Sequence, residues 1–209
     1  AFMIHDFEIA FCGRTSEDVA GTLHEGKFGN AEETGIFLNI ALKEGHARGT
    51  GAGEAVGDYL MSAKFTYNKE SVLYRAFKLN IPVTIHPAIG TDIIHFHPSF
   101  NGEITGKLAE RDFKLFASIV SKIGDGGIYI NIGSAVIMPE IFLKAIAFCT
   151  ALGIELNDFH TAVFDFKMQY RALENVQKRP VNKQGKGYYF VGHHELMIPL
   201  LAAMLKQGV

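Results

Sequence analysis

The spacing of hydrophobic residues along the chain alternates between a helical period and a strand-like period. Apolar positions three or four residues apart predict helices over residues 31–44, 69–79 and 108–123. The last of these segments carries one apolar stripe, formed by Phe113, Phe116, Ile119, Val120 and Ile123. Asn68 stands directly before the second helix, where an Asn is a favourable N-cap.

Short apolar runs bounded by turn residues predict strands between further helices. The predicted strands are Val83–Ile85, Gly127–Ile132, Thr161–Asp165 and Tyr188–Val191. Helices are predicted over Met138–Leu152, with Pro139 in the first turn and Gly153 as the C-cap, and over His194–Lys206. Strands that alternate with helices of this length are typical of βαβ units. The pattern therefore predicts an α/β fold, Rossmann-like, with a mostly parallel sheet and helices on both faces.

Length and composition indicate one globular domain over residues 1–209. The chain has 209 residues, of which 48% are hydrophobic and 20% charged. That balance is typical of a folded protein rather than a disordered one. Because the chain opens in the middle of a pattern, at Ala-Phe-Met-Ile-His-Asp-Phe-Glu, we expect an N-terminal segment to precede it.

Charge and cysteine usage narrow the range of partners. The formal net charge is −2, so there is no basic field for nucleic acid and no polybasic membrane patch. The longest apolar runs, such as Leu196–Leu205, have about ten residues, roughly half a membrane span. Cys12 and Cys149 lie in apolar surroundings, which predicts buried free thiols in a reducing compartment. We therefore expect a cytoplasmic protein that acts on a small molecule.

A Pro/Gly turn after the first predicted strand carries the densest group of ionisable residues. The segment Asn80–Asp92 ends in a Thr-Asp pair, and His95 and His97 follow within five residues. In an α/β protein such a turn lies at the carboxyl end of a strand, where ligands bind. The alternative is that Asp92 caps the next element and that both histidines are solvated.

Two glycine-containing turns are candidates for ligand contact. Gly49–Gly53 resembles a dinucleotide fingerprint, but no hydrophobic strand precedes it, so we favour a flexible loop that leads into a helix. Ile132–Ala135 follows a strand and precedes a helix, which would bring backbone N–H groups to a ligand. Close packing of strand against helix would require the same small residues.

Histidines after the last predicted strand offer a metal hypothesis. His193, His194 and Glu195 stand where the last helix begins, and with His95 and His97 they would make a cluster of ligands for zinc or iron. Adjacent histidines at a helix start more often form hydrogen bonds or caps.

Several of these segments together resemble the deoxyhypusine synthase family, in the same order and with similar spacing over nearly the whole chain. Asn80-Ile81-Pro82-Val83, Pro87-Ala88 and Thr91-Asp92 resemble the strand and "TDGS" loop of the family. The other matching segments are Gly133-Ser134-Ala135-Val136 with "GGGVV", Thr161-Ala162 with "NTAQEFDGS", and Gly192–Leu201 with "ADATLVFPLL".

The resemblance implies an NAD site and an assembly. The residues that it places on NAD are Asp92, Gly133, Ser134, Thr161, Ala162, His193 and His194. It places Asp165 at the acidic end of its strand. We expect His95, His97 and Asp165 to face a substrate, where a histidine suits general acid–base work. The family's sites lie between subunits, so a homo-oligomer, dimer or tetramer, is expected.

Departures from the family argue against its own reaction. Met138-Pro139-Glu140 stands in place of the "KHH" histidine, and the chain has no Trp to match the "WGK" motif of the imine-forming lysine. Lys178 or Lys183 only roughly fills that position. His5 and His97 replace carboxylates that hold the polyamine, which removes charge complementary to a polycation.

The sequence therefore predicts an NAD-binding enzyme, with hydride abstraction or group transfer on a small polar substrate as the chemistry and without formation of deoxyhypusine. One alternative is a metal-dependent hydrolase that uses His95, His97, His193 and His194. The other is a nucleotide-binding or regulatory protein without catalytic activity.

Overall fold

The chain divides into two compact units. The computed structural model describes residues 2–16, 21, 23–26, 31–181 and 184–208. Unit 1 comprises Ala1–Lys114 and unit 2 comprises Leu115–Val209, so the division falls within one helix. The expectation of a single domain over residues 1–209 stays a prediction.

Unit 1 contains helices and no strand among its described residues. Its helices are α1 (Phe2–Cys12), α2 (Glu32–Arg48), α3 (Ala52–Ala63), α4 (Val72–Lys78) and α5 (Gly102–Val120), the last of which continues into unit 2. Short 3₁₀ turns lie at Leu23–Glu25, Asn68–Glu70 and Ile93–Phe96.

An aromatic cluster forms the centre of unit 1. Phe7 is fully buried on α1, and rings from other elements surround it at centroid distances of 5.7 to 6.4 Å. These rings belong to Phe37, Tyr59 and Phe65, and Phe11 packs against two of them. The apolar face of α1 is therefore used inside the unit, so it gives no support to an interface between subunits.

Buried carboxylates on α1 hold distant segments of unit 1. Asp6 accepts hydrogen bonds from the Ser71 hydroxyl at 2.6 Å and from the backbone N–H groups of Val72 at 2.8 Å and Leu73 at 3.1 Å. It therefore supplies the acceptors that the amino end of α4 lacks. Glu8 likewise accepts from Ser16 and from the Thr34 hydroxyl.

Asp112 on α5 packs against the glycine-rich segment Gly49–Gly53. Its Oδ2 accepts from the backbone N–H of Gly53 at 3.0 Å and of Ile85 at 2.8 Å. A Cβ on Gly51 would lie 1.8 Å from Asp112 Oδ1, and one on Gly53 would lie 2.0 Å from the Val83 carbonyl oxygen. The glycines thus allow close packing, and a carboxylate of the chain itself occupies the amino end of α3.

Unit 2 contains a small open sheet of three parallel strands. After α5 come β1 (Ile128–Ile132), α6 (Ile137–Ala151), β2 (His160–Asp165), the short helix α7 (Tyr170–Ala172), β3 (Gly187–Val191) and α8 (His194–Gln207). Helix α7 continues directly as a π-helical segment, Leu173–Lys178. The strand order is β1-β2-β3, so sequential strands are neighbours and β2 is central.

Helices cover one face of this sheet, whereas α8 lies along the other and leaves its apolar side chains partly exposed, among them Ile128 at 57% and Ile132 at 49%. On one face the Tyr129 ring stacks on Phe142 of α6 at 3.6 Å, and the Thr161 hydroxyl donates to the Val176 carbonyl of the π-helical segment at 2.7 Å. On the other face, apolar residues of α8 and of the strands line a cavity of about 390 Å³. The α/β prediction is confirmed at this level, whereas the Rossmann-like arrangement stays a prediction.

Most elements predicted from the sequence are confirmed, within a few residues for all but the start of α5. Other predictions are wrong, among them the cap of α4, which is Ser71 rather than Asn68, because the Ser71 hydroxyl accepts from the Tyr74 N–H. Val83–Ile85 forms no strand, because its Ile85 N–H group bonds to Asp112 instead of a neighbouring strand. The loop expected over Gly49–Gly53 is shorter, Gly49–Gly51, because α3 begins at Ala52. Cys12 is exposed rather than buried, although both cysteines are free thiols as predicted.

Among the described residues, no helix combines the length and the apolar character that crossing a bilayer requires.

Candidate functional site

The carboxyl ends of the three parallel strands meet at one edge of the unit 2 sheet. Gly133 and Ser134 follow β1, Asp165 ends β2, and Gly192 follows β3. Backbone hydrogen bonds join these ends, since Gly133 N–H donates to the Phe164 carbonyl and Gly192 N–H donates to the Asp165 carbonyl, both at 3.0 Å. This edge is where open parallel sheets bind ligands.

Asp165 is the buried carboxylate of this edge. Its residue is 1% exposed. Oδ1 is 3.5 Å from the backbone N of Lys167, a long contact, and Oδ2 has no hydrogen-bond partner among the described residues. A buried carboxylate oxygen without a donor is costly, so such a group calls for a partner, which an ordered water, an ion or a ligand can supply.

Asn131 on β1 is a second buried residue with an unpaired side-chain oxygen. It is 2% exposed, its amide nitrogen donates to the Ser134 carbonyl at 3.0 Å, and its Oδ1 has no hydrogen-bond partner in the described part of the chain. Asn131 is paired with Val163 in register. Asp165 lies two residues further on, so both side chains share one face of the sheet, with Cα positions about 8 Å apart. Two buried acceptors therefore lie near each other.

Gly133 and His194 contact one another across the same edge. Gly133 has φ +67°, and a Cβ there would lie 3.3 Å from His194 Cε1. The imidazole Nε2 of His194 is 3.1 Å from the Phe164 carbonyl oxygen. The structure thus brings together two of the residues predicted to bind a cofactor, and it requires glycine at position 133 both for conformation and for space.

Ser134 is committed to the start of α6. Its hydroxyl accepts from the backbone N–H of Met138 at 3.1 Å, which satisfies one donor in the first turn of the helix. The turn at residues 133–135 therefore packs strand closely against helix, which is the alternative that the sequence left open. A ligand would meet Ser134 through its backbone or by displacing this hydrogen bond.

The structure does not bring every predicted cofactor residue to this edge. Thr161 is buried near the amino end of β2, and its hydroxyl bonds to Val176. It lies four residues before Asp165, which corresponds to about 13 Å along a strand. Ala162 lines the apolar cavity on the opposite face. His193 precedes α8 with an exposed side chain, 3.6 Å from the Glu195 carboxylate.

Asp92 and His95 of unit 1 form a local hydrogen-bonded structure. They make a capping box around the 3₁₀ turn Ile93–Phe96. His95 Nδ1 accepts from the backbone N–H groups of Gly90 at 3.1 Å and of Asp92 at 3.2 Å. Burial lowers the pKa of His95, which favours the neutral ring that these contacts require. The capping interpretation of Asp92 is therefore confirmed.

His97 packs against α2 of the same unit. A Cβ on Gly35 would lie 2.5 Å from the imidazole, so the ring rests directly on the helix. Its Nδ1 is 2.7 Å from the Ser99 hydroxyl, and its Nε2 is 3.4 Å from Glu32 Oε1. The ring is therefore held in one orientation and is not solvated.

The metal alternative receives no support from the geometry. Within the described ranges, no group of three or more His, Cys, Asp or Glu side chains is placed to hold a metal ion. His194 and His95 instead make the hydrogen bonds described above.

The lysine positions do not reveal an imine-forming residue. Lys178 Nζ pairs with Glu174 at 2.7 Å on the surface, and Lys183 lies outside the described residues. Glu140, in the segment that replaces the family's histidine, bonds to Asn175 at 2.9 Å and pairs with Lys144 and Arg171. It thereby joins α6 to the helical segment before β3.

Asn131 is the residue of this edge that sequence reasoning missed. Its available signal is a polar residue inside an apolar run, Ile-Tyr-Ile-Asn-Ile. Comparisons with family models, with curated proteins and with solved structures returned no match, so the fold and the site stand on their own geometry.

Proposed function

We propose that unit 2 binds NAD at the carboxyl edge of its parallel sheet, at a site formed by Asn131, Gly133, Asp165 and His194, here called the sheet-edge site. The proposal rests on the resemblance to deoxyhypusine synthases and on the position of these residues at adjacent strand ends. A mostly parallel sheet offers its ligand site at this edge.

The unpartnered Oδ2 of Asp165 is the observation that carries the proposal. A carboxylate at a strand end that lacks a donor fits a ligand that supplies hydroxyl donors, such as the ribose of a nucleotide. Asn131 Oδ1 is a second acceptor on the same face. Gly133 supports the proposal because it follows β1 at the same edge and lies against His194.

The proposed chemistry is hydride abstraction or group transfer on a small polar substrate, as the resemblance implies. The resemblance also places Asp92 on NAD and His95 and His97 at a substrate, and these placements in unit 1 stay predictions. Thr161 and Ala162 are left out, because one is bonded in the core and the other faces the apolar cavity. Formation of deoxyhypusine is not proposed, since no described lysine takes the position of the imine-forming residue.

Thermal unfolding with and without NAD tests this proposal on the full chain. A ligand that binds the native state at 100 times its Kd stabilises it by about 2.7 kcal/mol. For a chain of this size that raises Tm by roughly 5–10 °C. Asp165→Asn should remove most of the shift, whereas Asp158→Asn should keep it, because Asp158 is an exposed turn residue of the same unit.

A wild-type melting curve that saturating NAD leaves unmoved would refute the proposal.

Assembly into a dimer or tetramer remains part of the proposal. Exposed apolar side chains after β2 support it, namely Phe166 at 60%, Met168 at 60% and Tyr170 at 70% exposed. Light scattering at micromolar concentration should return a multiple of 23.0 kDa, and a mass of one chain would contradict this proposal.

A further inference from the structure

A serine, a histidine and a glutamate of unit 1 line up in a chain of contacts. Ser99 Oγ is 2.7 Å from His97 Nδ1, and His97 Nε2 is 3.4 Å from Glu32 Oε1. This group is here called the Ser–His–Glu cluster. The order of nucleophile, base and carboxylate is the one that activates a serine hydroxyl.

The hydrogen bonds around His97 indicate the tautomer that a general base needs. The backbone N–H of Ser99 donates to Nδ1 at 3.1 Å, so Nδ1 carries a lone pair and no proton. In the neutral ring the proton then lies on Nε2, which is 3.4 Å from Glu32 Oε1 and makes no hydrogen bond among the described residues. The Ser99 hydroxyl can therefore donate to Nδ1, and the Gly35 carbonyl, 3.5 Å from Oγ, is a second acceptor for it.

Ser99 also lines a cavity of about 180 Å³ with both polar and apolar walls. Leu42, Phe100 and Ile104 give the apolar side, while Asn39 and Lys43 bring an amide and an ammonium group. The amino end of the 19-residue helix α5 begins at Gly102, three residues after Ser99. The ammonium group and the helix dipole both favour negative charge near the serine hydroxyl.

We propose that the Ser–His–Glu cluster is a nucleophilic site that transfers small acyl groups from esters to water. Ser99 Oγ attacks the acyl carbon while His97 Nδ1 takes the hydroxyl proton. The bond from the acyl carbon to the leaving oxygen breaks, and His97 returns the proton to the leaving alcohol. Water then attacks the acyl-serine, His97 takes its proton and returns it to Ser99 Oγ, and the acid leaves.

The size and the walls of the cavity set the substrate class. A volume of about 180 Å³ accommodates an acyl group of a few carbons rather than a long chain. Its apolar side suits the acyl chain, and Lys43 suits an anionic substituent. Glu32 is a positioning residue, because it contacts His97 and does not line this cavity.

Labelling of the full chain with a fluorophosphonate probe tests the proposal. Mass spectrometry should place the label on Ser99, and Ser99→Ala should abolish it. Ser62→Ala is the matched control, because Ser62 is also exposed and its hydroxyl donates to the Tyr59 carbonyl rather than to a base. His97→Gln should slow labelling at least 100-fold.

Glu32→Gln keeps the test decisive if His97→Gln does not fold, because Glu32 is largely exposed and this variant should fold. It should slow labelling of Ser99 without abolishing it, since the carboxylate that faces the imidazole has been removed, and Glu32→Asp should restore part of the rate. Absence of label on Ser99 in folded protein, or labelling of Ser62 at the same rate as Ser99, would overturn the proposal.

Discussion

Two buried aspartates, one in each unit, differ in how their carboxylates are satisfied. Asp6 in unit 1 has three donors within 3.1 Å, from a hydroxyl and from the first turn of α4. Asp165 in unit 2 is more deeply buried, yet its one contact of this kind is 3.5 Å long and its Oδ2 has no partner among the described residues. A satisfied buried carboxylate stabilises a fold, whereas an unsatisfied one costs free energy. The comparison separates a structural residue from a candidate ligand residue.

The same substitution at both positions should give the largest contrast. Asp6→Asn puts an amide nitrogen, which is a donor, in place of a carboxylate oxygen that accepts from other donors. We therefore expect the free energy of unfolding to fall by about 2–3 kcal/mol. Asp165→Asn removes a poorly paired buried charge and should change that free energy by less than about 1 kcal/mol, or raise it. Urea unfolding followed by circular dichroism measures both. Equal losses would show that Asp165 is structural.

Two glycines of unit 2 offer a second contrast of smaller size. Gly133→Ala and Gly153→Ala both force alanine into a left-handed backbone, at φ +67° and +78°, and each should cost about 1–2 kcal/mol. A Cβ at position 133 also meets His194, whereas nothing lies within 4 Å at position 153. Titration with NAD should therefore show lost binding for Gly133→Ala alone. If Gly133→Ala binds as Gly153→Ala does, Gly133 is not part of the sheet-edge site.

The free energy of unfolding should depend on pH through Asp112, and this effect should be smaller than those of the glycine variants. Burial raises the pKa of this carboxyl above its ordinary value of 3.8, although the N–H groups of Ile85 and Gly53 oppose the shift. A carboxyl with a raised pKa in the folded state binds a proton more tightly there than in the unfolded chain. The stabilisation of the folded state by this proton is therefore complete below about pH 4, and it is lost as pH rises through the raised pKa.

Comparison with Asp112→Asn isolates that contribution. The stability of the wild type minus that of the variant should fall as pH rises from about 4. A difference that stays constant or grows over that range would contradict the raised pKa. Urea midpoints at several pH values give the measurement.

The local pattern of apolar and turn residues is sufficient to predict the strands and helices of unit 2. The runs around Ile130, Val163 and Tyr189 are bounded by glycines or turn residues, and each forms the predicted strand. The same reasoning failed at Val83–Ile85, because the donor Ile85 N–H is satisfied by Asp112, 27 residues away in sequence. No local pattern contains that partner, so an apolar triplet was read as a strand.

The candidate site was predicted only in part, for a related reason. Gly133 is predicted from its turn and His194 from the resemblance, and the two lie in contact because both follow parallel strands whose ends meet. Thr161 was named from a motif, but its position at the amino end of β2 follows from strand register. Asn131 was missed because its importance lies in an unpaired oxygen, which three-dimensional contacts alone reveal.

Hydrogen–deuterium exchange with saturating NAD tests the location of the sheet-edge site most directly. The account predicts slower exchange at the backbone amides of residues 132–138, 165–169 and 192–196, around the three strand ends. The amides of Val72 and Leu73, which Asp6 already holds, should be unchanged. Protection confined to unit 1, or no protection anywhere at saturating NAD, would contradict the account.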